Sequence, residues 1–195
     1  MIMQETENKI IHSSFWANLF KVTPEKDELI HILKEMPPFV ELSRSDLNKL
    51  VEIIHHRDYV KGEYIFYQGD PGIGLYIIRS GEVEIEYKTE LNHRYTFAMF
   101  GKADFFGELA LLDGAKRSAS AVAKTDCKLA IVFKPDLDEF VYKNPRAGTT
   151  VISGLSKIII TRLRNLNFEY LKLQESITNK EYKNEYTGKE NISPD

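Results

Sequence analysis

Two periodicities divide this chain. Near the start, apolar residues recur at helical spacing. Thr23-Pro24 opens a helix well, with Thr as cap and Pro in the first turn, and Leu29, Ile30, Ile32 and Leu33 make its apolar face. Met36-Pro37-Pro38-Phe39 ends it near Glu35, and Ser43 caps a second helix with Leu47, Leu50, Val51 and Ile54 on one side. From about residue 57 the period falls to two. Tyr64–Tyr67, Leu75–Ile78, Glu82–Tyr87, Tyr95–Met99, Ser120–Ala123 and Lys128–Phe133 read as strands, separated by turn chemistry such as Gln68-Gly69-Asp70-Pro71-Gly72-Ile73-Gly74 and Ser80-Gly81. Helical spacing returns at Lys134–Phe140. Asn144-Pro145 then starts a longer helix expected to reach residue 175, in which Ile159, Leu163, Leu166, Tyr170 and Leu173 follow one another at steps of 4, 3, 4 and 3.

Short strands at turn-punctuated intervals predict a small β-roll or barrel, mainly β, with flanking helices at both ends. At 195 residues and 43% hydrophobic composition the chain can bury one substantial core. A net charge of −3 gives no strongly basic surface for nucleic acid. The single cysteine, Cys127, excludes an intramolecular disulfide and falls in an alternating apolar stretch that predicts burial. There is no run of 18 apolar residues, no signal-peptide pattern at Met1–Glu7, and therefore an expectation of a cytoplasmic protein without a membrane span. His12, His31, His55, His56 and His93 form no metal-binding spacing, and His55-His56 are read as the polar end of the second helix. No metal, no nucleophile–base pair and no P-loop is found, so no enzyme is predicted.

The segment with most chemistry is Phe105-Phe106-Gly107-Glu108-Leu109-Ala110-Leu111-Leu112-Asp113-Gly114-Ala115-Lys116-Arg117-Ser118-Ala119-Ser120-Ala121. It sets a carboxylate and a guanidinium nine positions apart, with small residues beside both and a short apolar turn between them. A guanidinium can fork onto two phosphate oxygens, a carboxylate can accept from a hydroxyl, and small residues let backbone approach a ligand. Two charges at that spacing could equally form a surface ion pair. The order of residues is more specific: it resembles the phosphate-binding cassette of the cyclic nucleotide-binding domain family, to which the catabolite activator protein and the regulatory subunit of cAMP-dependent protein kinase belong. The spacing is that of the kinase-type cassette, and Lys116 stands where many members carry Pro. The Gly-Asp-Pro-Gly turn, the Leu-Tyr-Ile-Ile strand and the Ser-Gly-Glu-Val turn share the resemblance.

That resemblance implies a jelly-roll-like β-roll over residues 29–143, preceded by a helical extension over 1–28 and followed by a long helix over 144–175 and a polar, disordered tail over 176–195. It implies that Glu108 binds a ribose 2′-hydroxyl and Arg117 the cyclic phosphate. Phe106, Gly107, Leu109, Ala110, Ser118 and Ala119 would line the same pocket. Arg162, Asn165 and Asn167 on the long helix are candidates to reach the base, the helix closing over it on binding. The ligand implied is cAMP rather than cGMP. The activators of the family place a DNA-binding module after the long helix; the residues beyond 175 are too few for one, so direct DNA binding is not expected. The aromatic Phe15–Phe20 segment is expected to pack on the domain as a helix, with partner docking as the alternative; a protein partner is expected for the chain, and the long helix either lies on its own barrel or supports a homodimer. The alternative reading is a protein-interaction module whose pocket is vestigial or holds another ligand.

Overall fold

The structure, a computed structural model, describes residues 24–187. The aromatic segment expected at Phe15–Phe20 lies outside them. Two helices come first, α1 (Pro24–Glu35) and α2 (Arg44–Glu52), then β1 (Ile54–Tyr59), β2 (Tyr64–Phe66), β3 (Gly74–Ser80), β4 (Val83–Lys88), β5 (Arg94–Phe100) and β6 (Phe105–Phe106). The short helix α3 (Glu108–Asp113) precedes β7 (Ser120–Ala123) and β8 (Cys127–Phe133), and α4 (Lys134–Lys143) and α5 (Pro145–Thr187) follow. All strand pairs are antiparallel, in two four-stranded sheets ordered β1-β8-β3-β6 and β2-β7-β4-β5.

Strand β3 shows why the two sheets hold together. Six of its residues are buried, because both of its faces are covered. Tyr76 and Ile78 point into the roll with Phe106, Leu129 and Ile131. Leu75 and Ile77 point outward against a second core built from α1, α2, α4 and the start of α5, through Leu29, Leu33, Leu50, Phe140, Val151 and Leu155. Removing such side chains from water supplies most of the folding drive, roughly 1.5–3 kcal/mol each.

Polar contacts fix the outer layer. Ser43 Oγ accepts from Asp46 N–H at 3.1 Å and caps α2 as expected. Arg79, at the end of β3, is buried, donates to Glu28 on α1 at 2.7 Å and meets His56 Nδ1 at 3.3 Å. The Arg79 hydrogen bond, reinforced by Coulomb attraction and opposed by burial, holds the Glu28 pKa below its ordinary value.

Three boundaries differ from the sequence reading. The division at residue 28 cuts through α1, whose Glu28 and Leu29 both join the folded body. His55 and His56 lie in β1 rather than at a helix end: α2 stops at Glu52, and the β-branched pair Ile53-Ile54 leads into pairing with β8, His56 facing Ala130. Helix α5 runs on to Thr187, past the end expected at 175, because no glycine or proline interrupts the sequence between Gly154 and Gly188.

The root of α5 is unusual. A Cβ on Gly154 would sit 2.5 Å from Pro38 Cα, so only a glycine allows the helix to lie on the α1–α2 turn. Thr149, Thr150, Ser156 and Thr161 each donate their hydroxyl to the carbonyl one turn back.

Gly154→Ala is expected to destabilise the protein by about 1–3 kcal/mol from overpacking, outweighing the ~1 kcal/mol gain in helix propensity. Urea denaturation checks it as a lower midpoint at unchanged slope. Because the folded-state pKa of Glu28 is depressed, its contribution is present above the ordinary glutamate range around 4.5 and is lost as pH falls through the lower folded value. Melting temperatures measured from about pH 6 down to about pH 3 should fall more steeply for the native protein than for Glu28→Gln.

Candidate functional site

Arg117 is the organising residue. It follows the α3 loop and is 4% exposed. Its two terminal nitrogens donate to backbone carbonyls, Nη1 to Gly107 at 3.1 Å and Nη2 to Gly74 at 2.8 Å. The guanidinium lies over the Phe66 ring at 4.2 Å and within 5.4 Å of the Tyr76 centroid. Tyr76 itself stacks on Phe106, and Phe106 on Phe100. Its Nε is buried without a hydrogen-bond partner. Among the described residues no carboxylate forms a salt bridge with it. Burial is the main influence on its pKa and pushes it down, against the opposing pull of Tyr76, Asp70 and Glu108. Two neutral carbonyls and ring faces compensate a buried cation only partly, which leaves the site attractive to an anion.

The local fold explains this placement. Gly107 sits at φ 82°, and a Cβ there would come within 2.7 Å of Arg117 Nη1 and 2.9 Å of the Gly74 carbonyl. A glycine therefore lets the chain leave β6, turn into α3 and expose its carbonyl to the arginine. The backbone of Arg117 is gripped by the β2–β3 turn: Gly69 N–H donates to Arg117 O at 2.9 Å, and Arg117 N–H donates to Asp70 O at 2.8 Å. Gly72 in the same turn lies against Ala110, leaving no room for a Cβ.

Glu108 is the first residue of α3 and is 5% exposed. It is ion-paired with Arg162 of α5, whose other terminal nitrogen donates to Phe105 O at 3.1 Å. The Arg162 guanidinium also rests over Phe105 at 5.0 Å and Phe100 at 5.4 Å. The long helix is thus docked on the cassette through the protein's own charges.

Of the sequence-selected residues, Phe106, Glu108, Ala110 and Arg117 are buried together, with Gly107 and Ala119 half-buried at their edge. Leu109 is exposed on α3, and Ser118 is exposed beside Arg117. Arg162 does reach the site, though onto Glu108. Asn165 and Asn167 are exposed farther along a helix that is leaving the body; Asn165, three residues on, shares the Arg162 side, whereas Asn167 is turned about 140° from it. Gly74, Asp70, Phe66, Tyr76 and Phe100 also build the site and were not selected as such. The turn around Asp70 was legible as a turn, yet nothing in it announced that its backbone would clasp an arginine 47 positions on.

Residues 56–144 match the family described as the cyclic nucleotide-binding domain. With the β-roll and the buried Arg117–Glu108 corner in place, the class is defined: residues 56–144 are a cyclic nucleotide-binding domain. The cyclic AMP receptor protein of Thermus thermophilus is 35% identical over 138 residues, covering 70% of this chain and 62% of that protein. The crystal structure of the T. thermophilus catabolite activator protein superimposes with a TM-score of 0.64 at 33% identity, over 71% of this chain and 63% of that one. The regulatory domain of Toxoplasma gondii PKA, solved with cAMP, gives 0.56 at 28% identity, over 60% and 44%. The chain spans 62% of the length of the Thermus protein and 21–38% of seven other curated relatives. No described helix is long and apolar enough to cross a membrane.

Proposed function

We propose that this protein is a non-catalytic cytoplasmic receptor for a cyclic nucleotide, cAMP in preference to cGMP, and that binding is read out through α5. The observation that carries this reading is the buried Arg117 guanidinium with an unsatisfied Nε and no acid partner. A cyclic phosphodiester supplies the missing anion. Glu108, the residue after Gly107, accepts from the ribose hydroxyl of the same ligand. The names of the relatives support the choice of cAMP: one is a cyclic AMP receptor protein, and another was solved with cAMP.

The pair between Glu108 and Arg162 gives the readout. A ribose hydroxyl and Arg162 compete for one buried carboxylate. Occupying Glu108 from the ligand side frees Arg162 from the one ion pair that joins α5 to the cassette among the described residues. A ligand moves a two-state element only by its differential affinity for the two states, and this exchange is a source of such a difference. The helix therefore starts docked and is released, the reverse of the closing motion that the sequence alone suggests.

A second reading has one observation in its favour. Both charged groups of the site already have protein partners, Arg117 the two carbonyls and Glu108 the arginine of α5. A protein-interaction module with a self-filled pocket would look the same. Thermal shift separates the two: a ligand at one hundred times its Kd stabilises by about 2.7 kcal/mol, and a filled pocket by nothing.

In titration calorimetry Arg117→Ala is expected to weaken cyclic nucleotide binding by about 2–5 kcal/mol, or roughly 30- to 5,000-fold. Glu108→Ala should cost less, about 1–3 kcal/mol. Unaltered affinity in Arg117→Ala would reject the assignment. Arg162→Ala should tighten binding by about tenfold, a change of ~1.4 kcal/mol, because it removes the competitor. It should also speed amide exchange in α5 around residues 156–165 before ligand is added. Weaker binding in Arg162→Ala would mean that this arginine serves the ligand instead.

A further inference from the structure

Arg162 is held by more than an ion pair. Both terminal nitrogens of its guanidinium are engaged, Nη1 by Glu108 and Nη2 by the Phe105 carbonyl at 3.1 Å. The guanidinium also lies over two rings, Phe105 at 5.0 Å and Phe100 at 5.4 Å. These rings come from different strands and different cores. Phe105, in β6, is buried in the outer core with the helices, whereas Phe100, at the end of β5, packs half-buried on the core inside the roll. Strand β6 ends one sheet, β5 ends the other, and residues 101–104 join them. Arg162 therefore reaches both sheets at once.

Phe100 is not free to tilt. Its ring is nearly parallel to Phe106, with centroids 6.3 Å apart and 5° between planes, and Phe106 is nearly parallel to Tyr76 at 5.3 Å and 7°. Phe106 and Tyr76 are buried in the roll, so the inner rings fix the orientation of the outer one. At the far end of this column Arg117 lies 5.4 Å from the Tyr76 centroid. One column of rings thus carries a guanidinium at each end.

We infer that Phe100 is a positioning residue: its face, with that of Phe105, forms an aromatic seat that keeps the Arg162 guanidinium on Glu108. The Arg162 side chain is 38% exposed, and at such exposure an ion pair alone gives up its geometry to water at little cost. Ring faces change that balance. They cover the cation where water would otherwise sit and attract it through the ring quadrupole, which suits the planar and weakly hydrated guanidinium. The consequence for affinity rests on the nucleotide reading: a firmer seat raises the concentration of cyclic nucleotide needed to take Glu108 from Arg162. The seat itself does not rest on it.

A double-mutant cycle read by amide exchange in the ligand-free protein tests the seat. Phe100→Leu keeps an apolar side chain in place and should speed exchange around residues 156–165 about fivefold, whereas in an Arg162→Ala background it should change exchange by less than about 1.5-fold. Phe100→Tyr should keep the native protection. Fluorinated phenylalanines at position 100 preserve the ring's shape and weaken its negative face, so exchange should quicken in steps with the number of fluorines. Packing alone would give equal acceleration with and without Arg162 and no grading by fluorine, and either result would overturn the inference. In titration calorimetry Phe100→Leu should tighten cyclic nucleotide binding about threefold in the native background and leave it unchanged in Arg162→Ala. Weaker binding would overturn the positioning role. Failure of the nucleotide reading shows separately, as an absence of binding by the native chain, and the exchange cycle still decides the seat.

Discussion

A cation taken out of water without an acid to balance it governs this molecule. Arg117 reaches across three separate segments: the Gly74 end of β3, the Gly107 carbonyl ahead of α3, and the Gly69–Asp70 turn that holds its backbone. One side chain thereby nails the roll's interior to its cassette. The residual imbalance is tolerable in a core of aromatic faces, yet it is greater than carbonyl dipoles can remove. Stability and affinity are opposed here. On the proposed function, that shortfall is what a ligand would satisfy.

Arg162 does the same for the acid. Glu108 is as deeply buried as Arg117, and its partner comes from a helix whose root is locked by Gly154 on Pro38. The two arginines therefore divide the labour. Arg117 belongs to the roll and stays. Arg162 belongs to α5 and meets the cassette through its guanidinium before that helix departs.

Much of this was visible in the residue pattern. Local signals worked where the cause is local: Pro24 in the first turn of α1, Ser43 capping α2, alternation in β4, and the Gly107–Arg117 cassette itself. Contacts between distant positions were not visible. Nothing near Arg79 says that a glutamate 51 positions earlier will cover it, and nothing near Glu108 names a partner 54 positions later. The histidine pair was misplaced because Ile53-Ile54 suits a helix face by spacing and a strand by β-branching, and pairing with β8 settles the matter. The end of α5 was set too early because polarity was taken for disorder, although lysine, glutamate and glutamine are good helix formers. Asn165 and Asn167 are exposed on α5, because spacing along a sequence does not tell where a helix points.

The root of α5 combines two glycines, Gly148 and Gly154, with four hydroxyls bonded to the preceding turn, features that soften and bend helices. The distal part carries no glycine up to Thr187. A compliant fulcrum joined to a stiff rod magnifies displacement. With Gly154 as the fulcrum, a tilt of about 10° carries Arg162, about 12 Å out, by about 2 Å, and the tip at Thr187, about 50 Å out, by about 9 Å. A small displacement in a buried corner thus acquires mechanical leverage at the molecule's far end.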